Sequence, residues 1–250
     1  MAIEQEQRRW IELGGCYNFR DLGGYVAAGG RQVRWRRLFR SDGLHALTAG
    51  DVEHLHELGL AVVIDLRSSN EIERDGLGAL FDTGRVVHRH HPFIERVEPR
   101  DPSSYPSDMV VLYQEIIDNT RPAIAAIFGA LSQEETYPVV FHCAAGKDRT
   151  GITAGLVLSV LGVPDETIIQ DYALTELAME RRRAAIQTAG AVGETDRYSS
   201  ISAHLLRAEP QTMARTLAMI DATYGSSTAF LEACGVTIEQ VNQVREILLT

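Results

Sequence analysis

Val139 to Gly155 reads V-V-F-H-C-A-A-G-K-D-R-T-G-I-T-A-G, and the rest of the chain is organised around it. Val139, Val140 and Phe141 form an apolar, β-rich run that ends at His142. From Thr150 onward apolar residues recur at Ile152, Leu156, Val157 and Val160, which is the spacing of a helix. The loop from Cys143 to Arg149 therefore joins a buried strand to a helix N-terminus. Such a loop can curl with its successive N–H groups facing inward, and the partial positive charge of the helix start adds to the cradle. Gly146 permits a positive φ and close approach to a ligand, while Ala144 and Ala145 keep bulk out of the way.

An amide cradle of this kind selects an anion, and phosphate is its natural occupant. Arg149 supplies a planar fork for two phosphate oxygens, and Lys147 adds a second positive charge. A free thiol ionises at about pH 8.5 and is lowered beside an arginine, converging amides and a helix start, so a thiolate is expected at Cys143. A thiolate there is a nucleophile aimed at phosphorus.

The string H-C-A-A-G-K-D-R-T-G, from His142 to Gly151, resembles the signature loop of the cysteine-dependent phosphatases. With its Lys147-Asp148 pair it is similar to the atypical bacterial family of protein tyrosine and lipid phosphatases. Asn18 to Tyr25 (N-F-R-D-L-G-G-Y), Leu38 to Asp42 (L-F-R-S-D), Asp65 to Arg67 (D-L-R) and Asp171 to Glu176 (D-Y-A-L-T-E) resemble segments of that family in the same order. The resemblance covers nearly the whole chain. It implies a single α/β domain over residues 1–250, with a central, mainly parallel sheet flanked by helices and extra helices at the C-terminal end. It also implies a phosphomonoester hydrolase acting on phosphorylated proteins, phosphotyrosine above all, with dual-specificity or phosphoinositide activity as extensions. Lipid phosphatases of the wider superfamily carry a second lysine directly after the cysteine. Ala144 stands there in this chain, which points away from a strong inositol-phosphate preference.

In the mechanism this reading implies, Cys143 attacks phosphorus in line. Ala144, Ala145, Gly146, Lys147, Arg149 and Thr150 hold the phosphoryl group, and water then releases the phosphocysteine. Thr150 is expected to donate to the sulfur, and His142 to brace the loop through backbone contacts. No metal or cofactor is required. Two other classes compete: a rhodanese-like sulfurtransferase, disfavoured by the R-T-G ending, and a noncatalytic phosphate-recognition module, which would usually lack the cysteine, the arginine or the acid.

The leaving group needs a proton, and three aspartates compete to supply it. Asp101 precedes Pro102 in a proline-containing loop, but its neighbours lack a tryptophan. Asp65 ends a strand next to the loop, where an ion pair with Lys147 would keep it ionised. Asp148 lies inside the loop itself. The reading favours Asp148 as acid, with Asp65 orienting Lys147.

Composition is consistent with this. A net charge of −10 argues against general nucleic-acid binding, yet one concentrated positive pocket still admits an anionic substrate. Three widely spaced cysteines, Cys16, Cys143 and Cys234, fit a reducing compartment better than a disulfide framework, and Cys16 reads as a packed thiol. The first residues, M-A-I-E-Q-E-Q-R-R-W-I-E-L, hold no apolar signal core, and no run is apolar enough to span a membrane. A cytoplasmic location is the expectation, with export without a conventional signal left open by the family resemblance.

Along the chain, Tyr25 to Arg37 reads as a hairpin between glycine pairs, and Thr48 caps a helix that runs to Leu58. Ala61 to Leu66 is a continuous apolar run, as expected of a parallel strand covered on both faces. Asp65 and Arg67 at its end are expected to face the same crevice as Cys143. A short helix begins at Asn70. Arg85 to His90 reads as another strand, with His88, His90 and His91 as ordinary surface groups, and helices cover Asp108–Asp118 and Pro122–Leu131. One long helix is expected from Glu166 to Thr188, followed by aperiodic sequence to residue 208. Residues 173–208 read either as a mobile helical cover over the pocket or as a surface helical hairpin. Helices over Thr212–Tyr224 and Ser226–Cys234, and a last one capped by Thr237 and Gln240, close the chain.

Overall fold

The computed structural model describes residues 8–97, 106, 108–189 and 207–250, except for the side chains of 186–189. Among them are β1 (Arg20–Asp21), β2 (Leu38–Ser41), β3 (Val62–Asp65), β4 (Val87–His90) and β5 (Val139–His142), joined in one sheet of order β1-β2-β5-β3-β4. β1 runs antiparallel to β2, and every other pairing is parallel. The expected α/β architecture with a mainly parallel sheet is the one found.

Side-chain alternation explains the layers. Leu38, Val62, Ile64, Val139 and Phe141 enter one apolar cluster, while Phe39, Val63 and Val140 enter a second. Successive residues of a strand point to opposite faces, so continuous apolar runs such as those of β3 and β5 can only sit where both faces are covered. Val139, Val140 and Phe141 are each 0 % exposed, and burying such side chains is worth about 1.5–3 kcal/mol apiece. A strand of this composition belongs at the centre of the sheet, and β5 lies there, between β2 and β3.

The helices among the described residues include α1 (Ala49–Glu57), α2 (Ser69–Asp75), α3 (Met109–Asn119), α4 (Arg121–Leu131), α5 (Asp148–Val160), α6 (Asp165–Ala173), α7 (Thr175–Ala189), α8 (Pro210–Tyr224), α9 (Ser227–Ala233) and α10 (Ile238–Leu248). Thr48 caps α1 and Thr237 caps α10, each in a reciprocal capping box with the residue three positions on. Met213, Leu217 and Ile220 of α8, Phe230 and Leu231 of α9, and Val241, Val244 and Leu248 of α10 enter the same cluster as the larger face of the sheet. The C-terminal helices are thus part of the main core.

Two expectations change. The long helix from Glu166 to Thr188 is two helices, α6 and α7, broken at Leu174. Arg20 Nη2 takes the Asp171 carbonyl at 2.8 Å, and Leu174 N–H approaches that carbonyl at 3.2 Å, where a continuous helix would place Thr175 N–H. The helix after the loop starts at Asp148, two residues earlier than its apolar spacing indicates, so Asp148 and Arg149 lie in its first turn. Of residues 173–208, the part from 190 to 206 lies outside the described residues. The hairpin reading of Tyr25–Arg37 holds as an isolated Val26–Gln32 bridge with a bond from Val33 N–H to the Tyr25 carbonyl at 2.9 Å.

Candidate active site

Parallel pairing brings Ser41, His142 and Asp65 to one level at the C-terminal edge of the sheet, since both Ser41 and Asp65 are register partners of His142. The turn after β2, the loop after β5 and the turn after β3 therefore converge. Cys143 starts the central loop and is 1 % exposed, while Ala144, Ala145, Asp148 and Arg149 form a half-buried rim around it.

The loop is held from beneath by residues far apart in sequence. Gly146 has φ +66°, and a Cβ there would come within 2.7 Å of Asp42 N and Ser41 O and within 2.8 Å of Asn18 Nδ2. No other residue fits both the backbone conformation and the space. The Gly146 carbonyl accepts from Asn18 Nδ2 at 3.1 Å and from Arg40 Nη2 at 3.0 Å, and Gly43 N–H donates to the Ala144 carbonyl at 3.1 Å. Arg40 and Arg20 are in turn anchored by Asp171, at 2.6 Å and 3.1 Å, and all three are at most 1 % exposed. Burial alone would raise the Asp171 carboxyl, yet Arg20 and Arg40 hold it well below the usual carboxylate range. The segments N-F-R-D, L-F-R-S-D and D-Y-A-L-T-E thus form one buried network under the loop. Arg40 thus supports the loop from beneath through the Gly146 carbonyl.

Cys16 is a packed thiol, as expected. Its sulfur lies 2.9 Å from Ser41 Oγ and 2.8 Å from Asp42 Oδ1, and burial followed by the Asp42 charge pushes it well above its ordinary range.

Arg149 carries a partner that the sequence reading missed. Its Nη1 and Nη2 donate to the two Glu71 oxygens at 2.5 Å and 2.8 Å. Burial opposes the charge of this guanidinium, but Glu71, Cys143 and Asp148 together hold it well above its ordinary range. Glu71 is brought down to about 2: burial pushes it up, and the bonds and charge of Arg149, with Ser68, overcome that. Glu71 also closes a capping box on Ser68 at the start of α2, and the spacing S-S-N-E from Ser68 was the available signal.

Asp65 is placed differently from the expectation. It and Arg67 are 0 % and 1 % exposed, beneath the crevice rather than lining it. Asp65 is paired with Arg67 at 2.7 Å, with His88 Nε2 at 3.2 Å and with His142 Nε2 at 3.7 Å. Burial would raise its carboxyl, but His142, His88 and Arg67 hold it far below the carboxylate range. Asp65 is therefore ionised, as expected, but through these groups and not through Lys147. Lys147, 2 % exposed, sets its ammonium 3.2 Å from Asp148 Oδ1 and 3.4 Å from the Arg207 carbonyl. The idea that Asp65 orients Lys147 gives way to Asp148 doing so, because Asp148 follows Lys147 in the chain while Arg67 and His142 occupy the Asp65 side.

His142 braces the loop from two sides: its Nδ1 lies 3.1 Å from the Cys143 carbonyl and its Nε2 faces Asp65. Burial pulls its imidazole below the ordinary range. Thr150 differs from the expectation. Its hydroxyl donates to the Ser41 carbonyl at 3.5 Å rather than to the Cys143 sulfur, which ties the helix start to β2. His88 and His90 are half-buried and bonded, to Asp65 and to the Arg67 carbonyl at 2.7 Å, rather than free surface groups. Asp101 lies outside the described residues.

What this arrangement can do is hold a tetrahedral anion against a buried sulfur, with Arg149 steered from behind by a carboxylate and Asp148 at the rim. Among known proteins, the profile of the tyrosine phosphatase family matches residues 11–250. The triple specificity protein phosphatase PtpB of Mycobacterium tuberculosis is 30% identical over 95% of this chain and 98% of its own length. A protein of Cupriavidus necator, provisionally named a tyrosine-protein phosphatase, is 33% identical over 90% of this chain and 84% of its own. A tyrosine-protein phosphatase of Nostoc commune is 28% identical over 82% of this chain and 72% of its own. The sulfurtransferase reading falls away, and the chain belongs to the tyrosine phosphatase family.

Proposed function

We propose that Cys143 is the nucleophile of this phosphatase and Asp148 its general acid, acting on phosphotyrosine in proteins. The observation that carries the reading is the geometry of one loop: between the end of β5 and the start of α5 it places the buried Cys143 at one end and, at the other, Arg149 held by both oxygens of Glu71. The thiolate attacks phosphorus, the P–O bond to the leaving group breaks, and Asp148 delivers a proton to the departing oxygen, the bound phosphate dianion offsetting the charges of Lys147 and Arg149 beside it. The loop amides of Ala144 to Lys147, with Arg149 and the start of α5, stabilise the equatorial oxygens as charge redistributes. Water then attacks the phosphocysteine, Asp148 accepts its proton, and the thiolate leaves with phosphate.

A substrate range wider than phosphotyrosine is supported by the name of the triple-specificity relative, and phosphoinositides within it by Lys147 in the loop. A cover formed by residues 173–208 is supported by two bonds at its described ends: Lys147 to the Arg207 carbonyl at 3.4 Å, and Ala208 N–H to Glu176 at 3.0 Å. Deletion of 190–206 that leaves KM, kcat and the peroxide sensitivity of Cys143 unchanged would remove the cover.

Hydrolysis of p-nitrophenyl phosphate, abolished by Cys143→Ser, tests the nucleophile. Asp148→Asn should slow phenyl phosphate far more than p-nitrophenyl phosphate and flatten the basic limb of the kcat profile. If Asp101→Asn alone does this, the acid is Asp101.

A further inference from the structure

The two oxygens of Asp148 are not equivalent. Tyr113, on α3, donates its hydroxyl to Asp148 Oδ1 at 2.9 Å, and the Lys147 ammonium lies 3.2 Å from the same oxygen. No bond to Oδ2 is found among the described residues. Tyr113 is 0 % exposed, and its hydroxyl oxygen lies 2.7 Å from that of Tyr172 on α6, itself 1 % exposed. Each phenol has one proton to give. With Tyr113 donating to Asp148, Tyr172 donates to Tyr113, and the chain Tyr172, Tyr113, Asp148 has a single direction. Burial, then Asp148 and Tyr172, push the Tyr113 phenol well above its ordinary range, so it stays a donor throughout the pH range of catalysis. Tyr172 is raised in the same way, by burial first and then Asp148.

A carboxylic acid carries its proton on one oxygen and keeps the other as an acceptor. With two donors on Oδ1, that oxygen is the acceptor in both protonation states, and the exchangeable proton belongs on Oδ2. We infer that Tyr113, backed by Tyr172, is the positioning residue of the general acid, fixing the Asp148 rotamer so that the proton on Oδ2 faces the leaving-group oxygen. The inference rests on Asp148 being that acid. Its chemistry adds no step: Oδ2 gives its proton to the leaving oxygen, and Tyr113 keeps its own throughout.

The location of the pair supports this role. Asp148 lies in the first turn of α5, where apart from Tyr113 the Lys147 ammonium holds its Oδ1, and its side chain is 29% exposed. Rotamer freedom at a partly exposed carboxylate spreads the proton over several directions, whereas catalysis requires one. Tyr172 packs its ring against Gly151, where a Cβ would come within 2.9 Å, so the phenol pair is tied to the helix that carries Asp148. Among the described residues, the charged and titratable groups that act on Asp148 are Lys147, Arg149, Tyr113 and Tyr172. Of these the tyrosines are neutral, so they orient the carboxyl without placing a further full charge beside it.

Tyr113→Phe tests the inference in the full-length protein with two aryl phosphates. With phenyl phosphate, whose leaving group needs the proton, kcat should fall about tenfold. With p-nitrophenyl phosphate it should stay within about twofold, and KM should be unchanged for both. A buried Tyr172 hydroxyl left without its acceptor weakens the fold, so Tyr113→Phe/Tyr172→Phe, which removes both hydroxyls, is the second variant and should show the same split. In an Asp148→Asn background Tyr113→Phe should add no further loss, because residues acting through one group are not additive. If Asp148→Asn fails to discriminate between the two esters, the general-acid reading is wrong. If Asp148→Asn discriminates and Tyr113→Phe lowers both esters equally, or multiplies the Asp148→Asn loss, Tyr113 is packing alone and this inference is overturned.

Discussion

Glu71 accepts both terminal nitrogens of Arg149, at 2.5 Å and 2.8 Å, so the guanidinium that faces the loop is fixed from behind by a carboxylate on a different helix. A forked pair of this kind sets the plane of the arginine as well as its charge. Glu71 is itself oriented by Ser68, whose N–H and hydroxyl both reach its Oε2 at 2.8 Å. The direction of the anion-binding fork is therefore decided by the N-terminal cap of a short helix 78 residues away in sequence.

Glu71→Gln keeps the shape and loses the charge. We expect kcat/KM for p-nitrophenyl phosphate to fall about tenfold, the value of hydrogen bonds to a charged group. Stability at pH 6 should fall by about 2 kcal/mol. Glu71 is depressed from 4.5 to about 2 in the folded protein, so its contribution is present above pH 4.5 and is lost as pH falls toward 2. Denaturant midpoints of the two proteins should therefore converge across that window. A gap that stays constant down to pH 2 would show that the pairing contributes no stability.

Gly146→Ala should dislocate the loop. The new methyl meets backbone at 2.7 Å and the backbone keeps φ +66°, so neither can relax without moving Asn18 or the turn after β2. A kcat loss of about a hundredfold or more is expected, since the amides that stabilise the transferring group move. Vanadate should then no longer protect Cys143 from alkylation. Retained protection would mean that the loop tolerates the methyl.

The three thiols should react at very different rates. Burial and Asp42 push Cys16 well above its ordinary range, and burial pushes Cys234 up to about 11. At pH 7 both are protonated, so iodoacetate should modify Cys143 first, and phosphate should slow that reaction alone. Peptide mapping after partial alkylation gives the order; equal labelling of all three would remove the mechanism.

Asp171→Asn removes the partner of two buried arginines. Leaving Arg20 and Arg40 uncompensated at 0 % exposure should cost about 3–5 kcal/mol, measured by denaturant unfolding. Because burial is overcome by Arg20 and Arg40 and the carboxyl is held below its ordinary range, its contribution is complete above pH 3.8 and fades only at lower pH. A loss under 1 kcal/mol would show that the network is already compensated elsewhere.

The sequence by itself determined the strand, the loop and the helix of Val139 to Gly155. Apolar periodicity and a glycine within a short polar loop are local signals, and local physics reads them. It likewise marked the covered strand at Ala61 to Leu66, the caps at Thr48 and Thr237, and, through the resemblance, the segments that meet under the loop. Only the tertiary structure decided which charge meets which. Asp65 joins Arg67 and His142, leaving Lys147 to Asp148; Thr150 turns to Ser41; and the helix after Glu166 breaks where Arg20 takes the Asp171 carbonyl. Glu71 and Tyr113 lie 78 and 35 residues from their partners, and no periodicity or spacing relates such positions. Partners of buried polar groups are chosen by parallel strand register and helix packing, which bring together side chains from several elements at one sheet edge.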